Sequence, residues 1–139
     1  MSTIASSAHP DPENSKIRRW IGRALSGLMV LFLLMDSAMK LMSAAPALKA
    51  TEELGYPSSI VFGLGVLLLA CVVAYLVPRT SAIGAILLTG YLGGAIASQL
   101  RAGHPLWSHV LFPLYVALPL WGGLCLRDLA LMRALLGRR

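Results

Sequence analysis

Charge is what this chain has least of. Only 13% of its 139 residues are charged, and only 6 are Asp or Glu. An ordinary soluble domain carries roughly a quarter charged residues, so a normally solvated surface is excluded. Cysteine is nearly absent too. Cys71 and Cys125 form no CxxC motif and no metal-ligand spacing, and they read as small buried apolar residues. No P-loop, nucleophile elbow, zinc motif or haem motif is present. A membrane haem would need histidines deep in two facing spans, but His104 and His109 sit together near the start of one span and His9 lies near the N-terminus. No metal or haem is therefore expected. Nor is there a basic face with interleaved aromatics, which argues against nucleic acid.

What is abundant is apolar sequence: 57% of residues are hydrophobic, gathered in blocks rather than spread out. The pattern predicts an all-α fold, an integral membrane four-helix bundle forming one domain over residues 16–128. The first span runs from Trp20 to Met42, and its Ala24–Met35 segment carries no charge. A signal-peptide reading competes with this, given the basic flank and the small residues Ser43, Ala44 and Ala45. Asp36 and Lys40, lying between the apolar core and any such cleavage site, favour a retained span. The second span, Ser58–Val77, and the third, Ser81–Leu100, are uncharged. At about 1.5 Å per residue each is long enough to cross a hydrocarbon core of about 30 Å. The fourth, Leu106–Leu126, holds Pro113 and Pro119, which are expected to kink it. No internal repeat supports an inverted-repeat transporter.

The connections carry their own signals. Ser43–Pro57 has Pro46, Gly55 and a mixture of leucines with Lys49, Glu52 and Glu53. This predicts a short amphipathic outer segment between the first two membrane helices. Met1–Ser15 is polar and aperiodic and reads as a disordered cytoplasmic tail. Residues 129–139 form a basic tail expected to lie along the anionic inner leaflet.

Two helical faces stand out. Gly22, Ser26, Met29, Leu33, Asp36 and Lys40 share a stripe of the first span that should meet other helices, leaving Leu31, Phe32 and Leu34 nearer lipid. Gly90, Gly94 and Ser98 recur at intervals of four in the third span, a spacing expected to form a close-packing face.

The strongly polar residues gather by depth. Asp36 lies sixteen residues after Trp20, about 24 Å along a helix and so in the outer third of the membrane. Lys40 follows it at i+4, on the same helix face. Gln99, Arg101, His104 and His109 fall at that same outer level, and Tyr91 and Tyr115 are placed to reach the interior. Together Asp36, Lys40, Tyr91, Gln99, Arg101, His104 and His109 make a candidate outward-facing pocket. Its cofactor is unknown, and a quinone or lipid headgroup would suit it. The competing reading is structural: Lys40 snorkels to the interface, pairs with Asp36, and the histidines sit among headgroups.

The segment Thr89–Asp128, TGYLGGAIASQLRAGHPLWSHVLFPLYVALPLWGGLCLRD, resembles the last two helices of the DoxX-like family of small bacterial membrane proteins. GRALSGLMVLFLLMDSAMKL, the LGYP turn at Leu54–Pro57 and the turn at Pro78 fit the same family. The resemblance implies a four-helix bundle in the bacterial inner membrane. Relatives include subunits linked to thiosulfate–quinone oxidoreduction and to membrane responses to oxidative stress. The resemblance implies no settled activity; the leading expectation is a small redox-linked, quinone- or lipid-associated membrane subunit with an outward-facing polar pocket and no autonomous enzyme activity. The alternatives are a non-catalytic accessory partner of a membrane complex and a proton-coupled carrier acting as a homo-oligomer. Where the family often has a histidine shortly before the arginine, this chain has Gln99.

Orientation follows from basic-residue asymmetry. Lys16, Arg18, Arg19, Arg23, Arg79, Arg127, Arg133, Arg138 and Arg139 fall on one side of the four-span arrangement, against Lys49 and Arg101 on the other, with Lys40 near that boundary. The positive-inside rule then predicts both termini in the cytoplasm. Reporter fusions after Arg79 and at the C-terminus should read cytoplasmic, and one after Ala50 periplasmic; a periplasmic C-terminus would refute the arrangement.

Overall fold

The structure, a computed structural model, describes residues 12–135 and 137. Six α-helices follow one another: α1 (Pro12–Leu41), α2 (Ala45–Glu53), α3 (Val61–Leu76), α4 (Ser81–Arg101), α5 (Phe112–Arg127) and α6 (Leu129–Leu135). A 3₁₀ turn, Ser58–Ile60, leads into α3, and a π-helical turn, Leu106–Val110, leads into α5. With these turns included, four segments are long and apolar enough to cross a membrane. α1 packs on α3 and α5, and α4 packs on the same two helices. The bundle therefore has α1 and α4 on opposite corners. One end carries the start of α1, the α3–α4 turn and the end of α5. The other carries α2 and the α4–α5 connection.

α1 begins eight residues before the expected start at Trp20. Pro12 suits a first helical turn, and Glu13 complements the positive end of the helix. Extending a helix that is already formed adds about one hydrogen bond per residue fixed, so the span continues outward through its polar flank. Residues 12–15, expected in the tail, thus open α1; the tail's residues 1–11 lie outside the described residues. Proline also changes role in the fourth span. Pro113 sits in the first turn of α5, where a missing N–H costs little, while Pro119 lies inside the helix. Pro113 therefore divides the span into a π turn and α5 rather than kinking one continuous helix.

The core is a column of side chains along the bundle axis. Val30 and Leu33 come from α1, Leu68, Cys71, Val72 and Tyr75 from α3, Ala85, Leu88 and Leu92 from α4, and Val116, Leu120 and Leu124 from α5. Leu28, Leu31, Leu67, Val73, Ile83, Ile86 and Leu118 point outward. Apolar surface around a whole bundle suits a hydrocarbon solvent. Phe32 and Leu34, expected toward lipid, are instead half-buried against the core. Phe32 meets the ring of Phe112 edge-on at a centroid distance of 5.7 Å. Tyr115 reverses the other way: it is exposed, and its hydroxyl donates to Trp107 O at 3.3 Å.

Tyr75 is the polar centre of the packing. Its side chain is fully buried. The hydroxyl donates to Leu120 O on α5 at 2.9 Å and lies 2.9 Å from Ser26 Oγ on α1. A phenol has one proton, so Ser26 donates to the phenol oxygen. The backbone of the same residue receives α4, because Gly84 packs directly on Tyr75. Two further bonds cross between helices. Ser37 Oγ donates to Gly65 O at 3.0 Å, from α1 to α3. Trp121 Nε1 donates to Thr89 Oγ1 at 2.8 Å, from α5 to α4.

Close approach uses other glycines than the sequence spacing indicated. A Cβ on Gly22 would press on Leu126 and Arg127, and one on Gly123 would collide with Ser26. Gly90 and Gly94 have no side chain or neighbouring backbone within 4 Å of where a Cβ would stand. Their face of α4 looks outward, since Leu88 and Leu92 take the inward positions. Ser98 continues that line but is used differently, as an acceptor for Tyr56.

The contrast is measurable. Gly84→Ala should lower thermal stability in detergent by the equivalent of about 1–3 kcal/mol through overpacking. Gly90→Ala should leave it unchanged or raise it by up to about 1 kcal/mol, because alanine is the better helix former and nothing opposes its methyl group. A loss at Gly90 as large as that at Gly84 would contradict the packing described.

Candidate functional site

Three chain reversals build the end of the bundle that carries α2, and all close the same way. After α1, Ser43 N donates to Lys40 O at 3.1 Å and Ala44 N to Met39 O at 2.9 Å. After α2, Gly55 N donates to Glu52 O at 2.8 Å and Tyr56 N to Thr51 O at 3.2 Å. After α4, Gly103 N donates to Leu100 O at 3.1 Å and His104 N to Gln99 O at 3.2 Å. Each is a Schellman closure with one left-handed residue: Ser43 (φ 50°), Gly55 (φ 77°) and Gly103 (φ 73°). Only Ser43 is not glycine, so it adopts there a conformation that L side chains rarely take.

The third closure generates the histidine cluster. By turning back at Gly103, the chain sets His104 over the last turn of α4, and His104 Nδ1 meets Gln99 Oε1. With the amide oxygen toward it, Nδ1 carries the proton and Nε2 is left as the acceptor. The π turn then brings His109 alongside, with ring centroids 5.5 Å apart and planes inclined at 55°. That turn is held by Val110 N to Pro105 O at 3.3 Å and Leu111 N to Leu106 O at 3.0 Å. It exists because Pro113 cannot donate to His109 O, so the preceding turn is not drawn into α5. Ser108 Oγ lies 2.8 Å from His109 Nδ1. Gln99, His104, His109 and Ser108 therefore form one polar chain. Ser108 was not among the expected site residues; it directly precedes His109 in the chain.

Asp36 and Lys40 form the second element. Their side chains make a direct ion pair, with 29% of Asp36 and 16% of Lys40 exposed. It is the one salt bridge among the described residues. Lys40 also occupies the last turn of α1, where a cation opposes the negative helix end. Its Cβ lies over Gly65 of α3, so the lysine stem is packed rather than free. Tyr91, on α4, is half-buried against the core.

Arg101 is drawn elsewhere. Its Nη2 donates to Leu54 O at 2.7 Å, and its guanidinium lies 5.1 Å from the Tyr56 ring centroid. Leu54 O belongs to the unpaired final carbonyls of α2, so the arginine completes that helix end. Tyr56 in turn donates to Ser98 Oγ at 3.0 Å, because the serine's own proton goes to Gly94 O at 2.9 Å. Arg101 and Tyr56 therefore dock α2 onto α4. The seven expected residues separate into the ion pair Asp36–Lys40, the group Gln99–His104–His109, Tyr91 packed against the core, and Arg101 in a structural clamp. Tyr56 was missed; its place immediately after the LGYP glycine was the available signal.

Residues 24–123 match the sequence model of the DoxX-like family, most of the chain's length, and the chain belongs to that family. No curated protein and no solved structure matches it. Family membership and four apolar helices together make this a multi-pass membrane protein.

The ion pair yields a test of role. Lys40→Met leaves a carboxylate without its partner, and Asp36→Asn leaves the ammonium free to seek the interface. Each single variant should lose detergent stability. The combined Asp36→Asn and Lys40→Met variant should recover most of the loss, since removing both members of a buried pair is often nearly neutral. Thermal unfolding of the three proteins checks this; a double variant less stable than either single would mean that the charges hold other partners.

Proposed function

We propose that this DoxX-like protein is a small redox-linked membrane subunit that holds an amphipathic, proton-exchanging ligand at the α2 end of its bundle. A quinone is the chemical type. The observation that supports this most is the pairing of His104 with His109 at 5.5 Å, with Gln99 and Ser108 on their Nδ1 atoms. Two imidazoles at the end of a span, each oriented by a neighbour, present ring nitrogens that can donate or accept a hydrogen bond or a proton. An ionisable pair one helix away supplies charge within the membrane. A quinone headgroup needs that combination, because its carbonyls accept hydrogen bonds and take up protons on reduction. Membership of a family with quinone-linked relatives raises the same reading. In it both termini lie in the cytoplasm, the α2 end faces outward from the bacterial inner membrane, residues 16–128 form the membrane domain and residues 129–139 its basic tail.

A second reading is a non-catalytic partner of a membrane complex. It is favoured by Gly90, Gly93 and Gly94, which leave an exposed, backbone-deep strip on α4. Small residues allow helices to approach closely in lipid.

Purification in lipid discs followed by mass spectrometry of extracted small molecules separates the two. The first reading expects bound quinone near one per chain. His104→Ala and His109→Ala should each reduce occupancy by about tenfold, the equivalent of about 1.4 kcal/mol, with folding unchanged. Quinone absent from the wild-type protein, or equal in both variants, removes this reading. A stoichiometric protein partner lost on Gly90→Leu would support the second.

A further inference from the structure

The opposite end of the bundle holds a cleft that neither reading uses. It has a volume of about 280 Å³ and is lined by Arg19, Arg23, Pro78, Ser81, Leu124, Arg127 and Asp128. Three helices and one turn contribute. Arg19 and Arg23 are one turn apart on α1, Arg127 ends α5, and Ser81 opens α4. Three arginines and one aspartate thus line the same cleft. That carboxylate is already engaged: Asp128 Oδ1 accepts from Ala130 N at 3.0 Å and Leu131 N at 3.1 Å, capping α6. None of the three arginines forms a salt bridge with a described residue.

We propose that this cleft binds the phosphodiester headgroup of an anionic glycerophospholipid. Like charges gathered without a partner repel, and an anion among them removes that cost. Arginine matches phosphate oxygens through paired N–H groups. The first turn of α4 opens at Ser81, so its positive helix end adds to the same field. Depth selects the source of the phosphate. Trp20, beside Arg19, is exposed, as expected of an interfacial aromatic, and Arg127 closes the last span. The cleft therefore lies at headgroup level, where basic pockets between membrane helices meet lipid phosphates. The inference is independent of any ligand at the α2 end.

Native mass spectrometry of the full chain, titrated with phosphatidylglycerol or phosphatidylcholine of matched acyl chains, tests it. The wild-type protein should prefer phosphatidylglycerol by at least about tenfold. Arg19→Gln, Arg23→Gln and Arg127→Gln combined should abolish that preference. Lys16→Gln, Arg79→Gln and Arg133→Gln combined remove the same charge outside the cleft and should leave it intact. Equal loss in both variants would assign the effect to diffuse surface charge and overturn the proposal. So would a preference that survives in the cleft variant. Inorganic phosphate that binds the wild type at millimolar concentration while phosphatidylglycerol shows no preference would mark a free-anion site and overturn it as well. If the triple variant does not purify folded, Arg23→Gln alone, at an exposed position, carries the same test, and an unchanged preference there refutes the cleft.

Discussion

The Tyr75 side chain is the constraint on which the bundle depends. In hydrocarbon, helices gain nothing from hiding apolar surface from one another, because lipid is as apolar as leucine. Packing and interhelical hydrogen bonds must fix the arrangement. One phenol supplies both. Its ring fills the space between α3 and its neighbours, and its hydroxyl joins α1 and α5 through Ser26 and Leu120 O. Gly84 lets α4 close on the backbone of the same residue. A net hydrogen bond is worth about 0.5–1.5 kcal/mol, but an unpaired buried hydroxyl or carbonyl costs more than that. Other packings of the four helices would strand these groups, so the contact selects one packing as well as stabilising it.

From that centre the two ends diverge in chemistry. At one, three Schellman closures fold the chain back sharply and satisfy the terminal carbonyls of α1, α2 and α4. Tight reversals keep Gln99, His104, Lys40 and Tyr56 close to the helix ends that carry them. Arg101 shows how the same geometry sorts polar residues: a guanidinium near the free carbonyl of Leu54 is captured by it rather than joining the histidines. At the other end Arg19 and Arg23 of α1 and Arg127 at the close of α5 line one cleft, and its carboxylate, Asp128, is taken by the cap of α6. The first end combines proton-exchanging and hydrogen-bonding groups with one internal ion pair. The second is almost purely cationic.

The histidine cluster also shows how proline sets side-chain geometry. Pro113 withholds one N–H, the turn before it relaxes to i→i+5 bonding, and His109 comes beside His104. Five residues apart across a proline, the two had no reason to be neighbours on a regular helix.

Much of this molecule was determined by the sequence alone. Four uncharged blocks, the basic asymmetry, the Pro46 and Gly55 signals of α2 and the i, i+4 pair Asp36–Lys40 are local facts. Local facts decide helices, spans and same-face pairs, because a helix in a membrane must satisfy its own backbone. The grouping of Asp36, Lys40, Gln99 and the histidines at one end was legible for the same reason, since depth follows from residue count. What only the tertiary structure decided was which faces meet. Gly90 and Gly94 have the spacing of a packing face, yet look outward; Gly84, Gly22 and Gly123 carry the close contacts. Tyr75 becomes a centre, and Arg101 a clamp, only when Ser26, Leu120 and Leu54 arrive from other helices. Spacing fixes which residues share a face, but the rotation of each helix about its axis is set by the neighbours it must fit.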